Sequence, residues 1–264
     1  MKFIEKIKDI NHNLSLRALA VLYRNFLAWL KIYKPSIIGD VLEPLLFLAA
    51  LGLGVGKFIH NIDGISYIEF IVPGIIASSS MYAAAFESTF GSYTRMVTYR
   101  TFEAILLTPV TVEEIVLGEI FWGTSKAFMS GIAVLIVGLV FGWIISPLAL
   151  FIPVFILLNG AIFSSLSLLI TSFSPSYDFF SYYFTIAIST MFLFSGVFYP
   201  VSSLPHILSY FVFVMPLYYS VHVMRLLDLG ILSPAIFYYF IILSFISIIL
   251  FYLTAFFIRK RVIK

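Results

Sequence analysis

Six apolar segments, each about as long as a membrane-crossing helix, dominate this sequence of 264 residues. A helix needs about 20 apolar residues to cross the hydrocarbon layer of a bilayer. The chain is 61% hydrophobic and 11% charged, which is more apolar surface than one soluble core can bury. We therefore predict an all-α integral membrane protein with one membrane domain, residues 1–264, and a six-helix bundle over residues 37–258. The predicted spans are Ile37–Phe58, Tyr67–Phe90, Ile115–Phe141, Leu148–Ile170, Tyr177–Phe198 and Ala235–Ile258.

Helix-start signals stand near the edges of several spans. A serine N-cap followed by proline at the first helical position is a common start. A serine or threonine with a glutamate three residues later has the spacing of a capping box. Pro44, which follows Glu43, is expected to kink the first span. The predicted starts are Ser146-Pro147, Ser174-Pro175, Ser233-Pro234, Ser66 with Glu69, and Thr111 with Glu114.

The distribution of lysine and arginine predicts that both termini are cytoplasmic, because cytoplasmic loops carry an excess of these residues. In this orientation Lys57 and Arg225 face outward, and Lys126 falls inside the third span. The predicted cytoplasmic residues are Lys2, Lys6, Lys8, Arg17, Arg24, Lys31, Lys34, Arg95, Arg100, Arg259, Lys260, Arg261 and Lys264.

The N-terminal segment, residues 1–34, lacks the short apolar core and the small-residue cleavage site of a signal peptide. It has an apolar stripe beside a basic edge, which is typical of a helix lying in the membrane interface. A solvated helix packed on a partner is the alternative. The stripe is Leu16, Leu19, Leu22 or Tyr23, Phe26 and Leu30, and the edge is Arg17, Arg24, Lys31 and Lys34.

Residues 199–226, between the fifth and sixth spans, are too apolar for a free loop. Pro200, Pro205 and Pro216 divide them into pieces too short to span. Short re-entrant helices on the extracytoplasmic side fit this pattern, provided that protein covers the broken backbone. A lid packed on the bundle for stability fits it equally well.

Sites for chemistry are not recognisable in this sequence. It has no cysteine and no P-loop signature, and its net charge of +3 is too small to indicate nucleic acid. The glycines of GLGVG (52–56) and the serines of ASSSM (77–81) are better explained by close helix packing. The histidines at positions 12, 60, 206 and 222 are scattered over both predicted faces, so neither a metal site nor a catalytic residue is predicted.

Two ionisable residues, Glu87 and Lys126, lie within predicted spans, where charge is costly and is expected to face the bundle interior or water. They are close enough along the predicted topology to form a polar pair or to line a pathway. In an ion-coupled secondary transporter they would instead act as a proton relay.

The predicted turn between the second and third spans reads TYRTFEAILLTPVTVEEIVLGE (98–119). A helix over 98–107 would place Tyr99, Phe102, Ile105 and Leu106 on one face by their spacing of three and four residues. Arg100 and Glu103 would then point toward water or a partner. Thr108-Pro109 ends the helix, since proline cannot continue the hydrogen-bond ladder. Such a short helix between two spans is suited to carry motion from a partner outside the bilayer.

The segments SYIEFIVPGIIASSSMYAAAFESTFGSYTRM (66–96) and TFEAILLTPVTVEEIVLGEIFWGTSKA (101–127) resemble the permease subunit of ABC-2 type exporters. Within that family the chain is most similar to NodJ-like permeases that export lipo-oligosaccharides, with drug and polysaccharide export permeases as neighbours. The resemblance implies a fold like that of type V ABC exporters. It covers essentially the whole chain.

The resemblance implies a non-catalytic transport subunit in the inner (plasma) membrane that pairs with a second permease copy, as a homodimer, around a pathway for an amphiphilic substrate. Two separately encoded ABC-type ATPase subunits would bind ATP and Mg, and this chain would bind no cofactor itself. A secondary transporter acting without an ATPase is the alternative. The coupling helix would be 98–109, with Tyr99, Arg100, Thr101, Phe102, Glu103, Ile105, Leu106 and Leu107 as coupling residues.

Overall fold

The computed structural model describes residues 15–59, 61–62 and 64–263, and these residues are almost entirely helical. Some predictions made above lie outside the described residues. They are those that rest on Lys2, Lys6, Lys8, His12, His60 and Lys264.

The α-helices follow one another along the chain with short connections, and a two-residue hairpin precedes the fourth helix. Strands β1 (Asn61–Ile62) and β2 (Ile65–Ser66) pair antiparallel, with Ile62 opposite Ile65. The helices are α1 Ala18–Trp29, α2 Tyr33–Ile37, α3 Glu43–Ala49, α4 Tyr67–Phe86, α5 Thr101–Leu106, α6 Val112–Val140, α7 Ile152–Phe173, α8 Asp178–Tyr183, α9 Ser189–Phe194, α10 His206–Val212, α11 Pro216–Asp228 and α12 Pro234–Val262.

Tighter and wider helical turns extend several of these helices. Wider π-type turns are found at Ile38–Leu42, Ala50–Gly54, Glu87–Gly91, Thr94–Thr98 and Phe184–Ile188. Tighter 3₁₀ turns are found at Val55–Lys57, Pro147–Phe151 and Val201–Ser203. We call the end of the bundle that carries α5 the turn end, and the opposite end, which carries β1 and β2, the far end.

Five helical segments in the described residues are long and apolar enough to cross a membrane, or six if α10 and α11 are one broken span. The predicted fifth span, Tyr177–Phe198, is the shorter apolar helix Asp178–Phe194. At 1.5 Å per residue it is about 25 Å long, short of the roughly 30 Å hydrocarbon layer. The five are Tyr33–Lys57, Tyr67–Thr98, Val112–Val140, Pro147–Phe173 and Pro234–Val262.

Four of the five predicted helix starts are confirmed by their cap hydrogen bonds. Ser66 with Glu69 and Thr111 with Glu114 form complete capping boxes. The hydroxyls of Ser146 and Ser233 accept backbone N–H groups two residues on. The start at Ser174-Pro175 is wrong, because the Ser174 hydroxyl donates to the carbonyl of residue 176 in a turn and α8 begins three residues after the proline.

Helix α4 is the centre of the bundle and packs against α6, α7 and α11. Of its most apolar stretch, 83% is buried, against 6% for the first span. The predicted helix contact at 77–81 is confirmed, since the amide of Asn159 on α7 donates to the Ala77 carbonyl and the Ser80 hydroxyl. On another face of α7, Gly160 permits a close approach to α6, since a Cβ there would lie 2.7 Å from the Cβ of Ala127.

The first span is continuous, but its regular α-helical geometry gives way to a π-type turn just before Pro44. This proline follows the π-type turn Ile38–Leu42 and stands in the first turn of α3. Because proline has no N–H, it leaves the carbonyl of Asp40 without its usual helical donor. The hydroxyl of Ser130 on α6 donates to that carbonyl over 2.6 Å. Gly52 packs closely on the side chain of Ile68, which confirms the packing interpretation at that glycine.

The apolar segment before the last helix is broken where its prolines predicted. Pro205 precedes α10, Pro216 is the first residue of α11, and Pro200 precedes a 3₁₀ turn. Helices α10 and α11 bend by 88° at their junction. Most large side chains of α10 are exposed, whereas α11 is buried on one face against α4, α7 and α12.

Candidate functional site

The predicted turn helix is shorter than the sequence indicated. Helix α5 spans Thr101–Leu106 and follows Arg100, whose backbone is left-handed with φ 48°. A left-handed backbone conformation costs a non-glycine residue about 1–2 kcal/mol. At Arg100 it reverses the direction of the chain. Tyr99 therefore lies outside α5, at the end of the π-type turn Thr94–Thr98, so its predicted place on the face of Phe102 is wrong.

Phe102 anchors α5 to the bundle instead of facing a partner. Its side chain is 1% exposed. It belongs to an apolar cluster at the turn end to which α1, α6, α7 and α12 all contribute, and Ile105 and Leu106 pack on the edge of that cluster. The cluster, which we call the turn-end cluster, is Val21, Met96, Phe102, Val112, Ile115, Val116, Ile120, Leu168, Ala255 and Ile258.

The rest of the turn faces outward. Tyr99 is 73% and Leu107 90% exposed, and the charges of Arg100 and Glu103 stand beside them. Thr101 is half-buried and accepts a long hydrogen bond from Arg24. We call this exposed set the turn surface: Val97, Thr98, Tyr99, Arg100, Glu103, Ala104, Leu107, Thr108 and Pro109.

A buried charge network lies directly beneath the turn surface. The guanidinium of Arg95 donates to Glu119 on α6 at 2.5 Å and to Glu87 at 2.8 Å. Glu119 also accepts from the Ser92 hydroxyl at 2.6 Å and from the Asn25 amide of α1 at 2.8 Å. Since the Glu119 side chain is wholly buried, these donors replace the water that a carboxylate would otherwise require.

Helix α1 is attached to the same assembly. Val21 and the backbone of Ala18 approach Gly118 so closely that a Cβ there would lie 2.6 Å from the Val21 Cβ. The guanidinium of Arg17 donates to the carbonyl of Pro109 at 2.6 Å. Burial lowers the pKa of the Arg24 guanidinium. The negative charge of Glu119 raises that pKa, and the positive charge of Arg95 lowers it further, so that the pKa is lowered overall. The predicted apolar stripe of α1 remains exposed on its other side, at Leu16, Leu19, Tyr23, Phe26 and Leu30.

Other acidic residues of α6 bind further elements. Glu113 accepts from Arg259 of α12 at 2.9 Å. Glu114 completes the capping box with Thr111 and accepts a hydrogen bond from the Ser15 hydroxyl. The first two turns of α6 therefore join the N-terminal segment, the turn and the last helix.

The predicted pairing of Glu87 with Lys126 is wrong, because each has another counter-ion. Glu87 binds Arg95, two helical turns along its own span. Lys126 binds Asp40 and the Ser36 hydroxyl of the first span, and its ammonium lies 5.5 Å from the centre of the Trp29 ring. The sequence did not reveal which helix packs beside Lys126, and therefore did not reveal Asp40 as its counter-ion.

Aromatic rings form a continuous row along one side of the bundle, from the turn end to the far end. Successive ring centres lie 4.8–6.5 Å apart, within the range of favourable aromatic contacts. Phe86 in the middle is 57% exposed, so the row borders the outside of a single chain. The rings of this aromatic row are Tyr177, Phe90, Phe86, Phe184, Tyr82, Phe192, Phe198 and Phe47.

Comparison with known families now decides the class of this protein. Residues 17–229 match the ABC-2 type transporter family, from α1 through the turn to the α10–α11 pair, and the match ends before α12. The chain belongs to the ABC-2 type transporter family. It is thus a membrane transport permease, and the resemblance drawn from residues 66–127 is confirmed.

Individual relatives match over most of the chain. Nodulation protein J of Rhizobium meliloti (strain 1021) is 40% identical over 221 residues, 83% of this chain and 82% of that protein. Nodulation protein J of Rhizobium leguminosarum bv. viciae is 39% identical over 215 residues, 80% and 82% respectively. The inner membrane transport permease YadH of Escherichia coli (strain K12) is 27% identical over 186 residues, 67% and 69%.

The buried partners of this ABC-2 permease were missed by the sequence reasoning. Arg95 was counted only as a cytoplasmic charge, and Asn25 was overlooked beside the more prominent apolar stripe. One signal was present: Ala18, Val21 and Asn25 repeat at spacings of three and four, which places a polar residue on the narrow small-residue face of α1. Among the described residues, no group of three or more His, Asp or Glu side chains is placed to hold a metal ion.

Proposed function

We propose that this ABC-2 permease is the membrane subunit of an ATP-driven exporter of an amphiphilic substrate, and that a separate ABC-type ATPase docks on the turn surface. Two permease copies and two ATPase subunits would form the complex, with ATP and Mg bound by the ATPase. The likeness to permeases of lipo-oligosaccharide export favours a lipid-bearing or glycosylated substrate.

The attachment of α5 to the bundle carries this proposal. Phe102 is fixed in the turn-end cluster, and the backbone at Arg100 and the proline at 109 bound a helix of only six residues. A push on the turn surface would therefore reach α1, α6 and α12 through packed side chains and would not be absorbed by a flexible loop. The exposed Tyr99 and Leu107 offer apolar anchors beside the charges of Arg100 and Glu103, a mixture typical of protein interfaces.

The grouping of positive charge supports an orientation with the turn end in the cytoplasm. The name of the similar YadH protein, an inner membrane transport permease, supports an inner-membrane location. Arg17 contacts Pro109, Arg259 contacts Glu113, and Arg261 donates to the Thr171 carbonyl. These contacts bring the basic residues of α1, the turn and the end of α12 to one end of the bundle, as the positive-inside rule requires. Both termini would then be cytoplasmic.

We place the pathway and the second permease copy on the side of the bundle that carries the aromatic row. Aromatic faces accept both acyl chains and sugar rings, and rings on the surface of one chain become a lining when two copies face each other. The 17-residue helix Asp178–Phe194 lies on this side and would cross together with its adjoining turn. The bent α10–α11 pair would re-enter the bilayer from the far end.

Negative charge introduced on the turn surface tests the docking proposal. Co-expression with its ABC-type ATPase followed by purification of the complex gives the readout. Arg100→Glu and Leu107→Asp are expected to abolish co-purification and leave the permease folded, since both side chains are exposed. Lys57→Glu, an exposed charge reversal at the far end, is the matched control. Retention of the ATPase by both turn variants would refute the docking surface.

Transport in vesicles tests the energy source separately. The proposal expects uptake into inside-out vesicles to require ATP and the ATPase. Transport by the permease alone, driven by an ion gradient, would instead favour the secondary-transporter alternative. That alternative would use Glu87 or Lys126, which this structure places in ion pairs with Arg95 and Asp40.

A further inference from the structure

A sideways-opening groove lies between α6, α7 and α12, away from both the turn surface and the aromatic row. Its volume is about 710 Å³, within the 300–1,000 Å³ typical of ligand sites. Leu157, Phe240 and Ile248 stand at its exposed rim. None of its lining residues is charged, so a ligand that fits it is neutral.

Two hydroxyl groups in the groove wall have no hydrogen-bond partner within the described part of the chain, those of Thr124 on α6 and Ser165 on α7. Both residues are at least nine-tenths buried. A buried hydroxyl without a partner is costly, and such groups are uncommon in folded proteins.

Many other hydroxyls on the bundle helices are satisfied by the carbonyl three or four residues earlier on the same helix, and some bond to a neighbouring helix, which makes the unpartnered hydroxyls of Thr124 and Ser165 informative. The acceptor that Thr124 would use, the Ile120 carbonyl, receives the Ser164 hydroxyl instead. Hydroxyls that do bond back to their own helix are those of Ser78, Ser79, Ser80, Thr89, Thr94, Ser125, Thr171 and Ser172.

The two hydroxyls stand at mid-height in the bundle. Thr124 is about 18 Å along α6 from Val112, and Ser165 is about 20 Å along α7 from Ile152, at 1.5 Å per residue. Both hydroxyl oxygens are buried in the wall, and a change of χ1 to another staggered rotamer is the movement that would bring a hydroxyl to the groove. There it would meet hydrocarbon unless the bound molecule carried a hydrogen-bond acceptor at that depth.

We propose that this groove binds a neutral acyl ester from the surrounding bilayer, with the chain along the apolar wall and the ester carbonyl accepting from Thr124 and Ser165. The groove opens through apolar, exposed residues of three spans, so the bilayer is its immediate surroundings. The two unsatisfied donors select a molecule with a carbonyl over a plain hydrocarbon chain.

A photoactivatable probe tests this binding in liposomes that contain the full chain. The probe is a palmitoyl methyl ester with a diazirine beside the carbonyl, and labelled peptides are identified by mass spectrometry. We expect labelling on α6 and α7 around Thr124 and Ser165. Thr124→Val and Ser165→Ala should each reduce it by about threefold, and together by about tenfold, as expected for two ordinary hydrogen bonds.

Matched controls keep the result specific. Ser125→Ala and Ser172→Ala remove hydroxyls on the same helices that bond to carbonyls, and labelling should be unchanged. Ala161→Phe fills the groove and should abolish labelling. Equal labelling by a diazirine alkane without the ester, insensitive to the hydroxyl variants, would overturn the proposal. Efficient disulfide cross-linking of two Ala161→Cys chains would also overturn it, because a second copy would then cover the groove. The chain has no other cysteine, so any such cross-link arises at position 161.

Discussion

The turn end and the far end of this bundle are held together by different forces. At the turn end, ion pairs join separate elements: Arg95 to the buried Glu119, and the half-exposed Arg259 to Glu113. At the far end, Arg225 donates to the carbonyls of Phe70 and Gly196 and stacks on the Phe70 ring at 3.8 Å. Around it the contacts are mainly between rings and aliphatic chains.

This difference has a mechanical consequence. A buried ion pair is directional, and separating its partners leaves charge without solvent, so the joined elements tend to move as one body. Ring contacts are individually weaker and allow several packing geometries. We infer that the turn end transmits displacement as a unit, whereas the far end can rearrange.

Removing the central carboxylate should be the most damaging change. Glu119→Ala leaves Arg95 buried with only part of its counter-charge, and we expect a loss of about 3–5 kcal/mol in the free energy of unfolding. Reversible unfolding in mixed micelles measures it. The exposed Glu103→Ala should stay within about 0.5 kcal/mol of the parent. Similar losses for both variants would show that the network is not what holds the turn end.

Breaking the ion pair between α6 and the first span should cost less. The Asp40 side chain is 16% exposed, so water partly replaces the lost partner in Lys126→Ala. We expect a loss of about 1.5–3 kcal/mol, the usual value of a hydrogen bond to a charged group. A double-mutant cycle with Asp40→Ala should show strong coupling. Additive losses would contradict the pair.

Ring contacts should be weaker still. Phe192 and Tyr82 lie edge-to-face with centres 5.4 Å apart. A double-mutant cycle of Phe192→Leu and Tyr82→Leu should give a coupling of about 0.5–1.5 kcal/mol. A coupling larger than that of Lys126 with Asp40 would remove the mechanical distinction between the two kinds of contact.

The smallest effect is expected at the rim of the turn end. The Arg259 side chain is 46% exposed, and exposed ion pairs contribute about 0–1 kcal/mol and weaken with salt. Arg259→Ala should therefore change stability little, and less at high ionic strength. A loss as large as that of Glu119→Ala would mean that burial does not explain the strength of the network.

Much of the architecture could be predicted from local sequence. Apolar run lengths located the long spans, because the backbone in lipid must satisfy its own hydrogen bonds within a helix. Serine, threonine and proline located most helix starts, since an N-cap is a contact between residues two or three apart. Ser174-Pro175 failed because the signal for a turn and that for a helix start are nearly identical there.

The candidate site was predicted in position but not in orientation. Residues 101–106, within the predicted 98–109, do form a short helix between two spans, but Phe102, which the family resemblance assigned to coupling, is buried. Which side of a six-residue helix is buried depends on what packs against it, and Val21, Leu168 and Ile258 of the turn-end cluster come from distant parts of the chain. The left-handed backbone of Arg100 gives no signal in the sequence.

The sequence by itself determined that this protein is a helical membrane permease, where most of its long helices begin and end, and which family it belongs to. Those properties depend on composition, on contacts within a turn or two, and on motifs read in order. Only the tertiary structure decided that Arg95 forms an ion pair with Glu87, that Asp40 forms one with Lys126, and that Phe102 is buried. Partner choice among buried charges is set by which helices approach one another, and that approach is a property of the whole bundle.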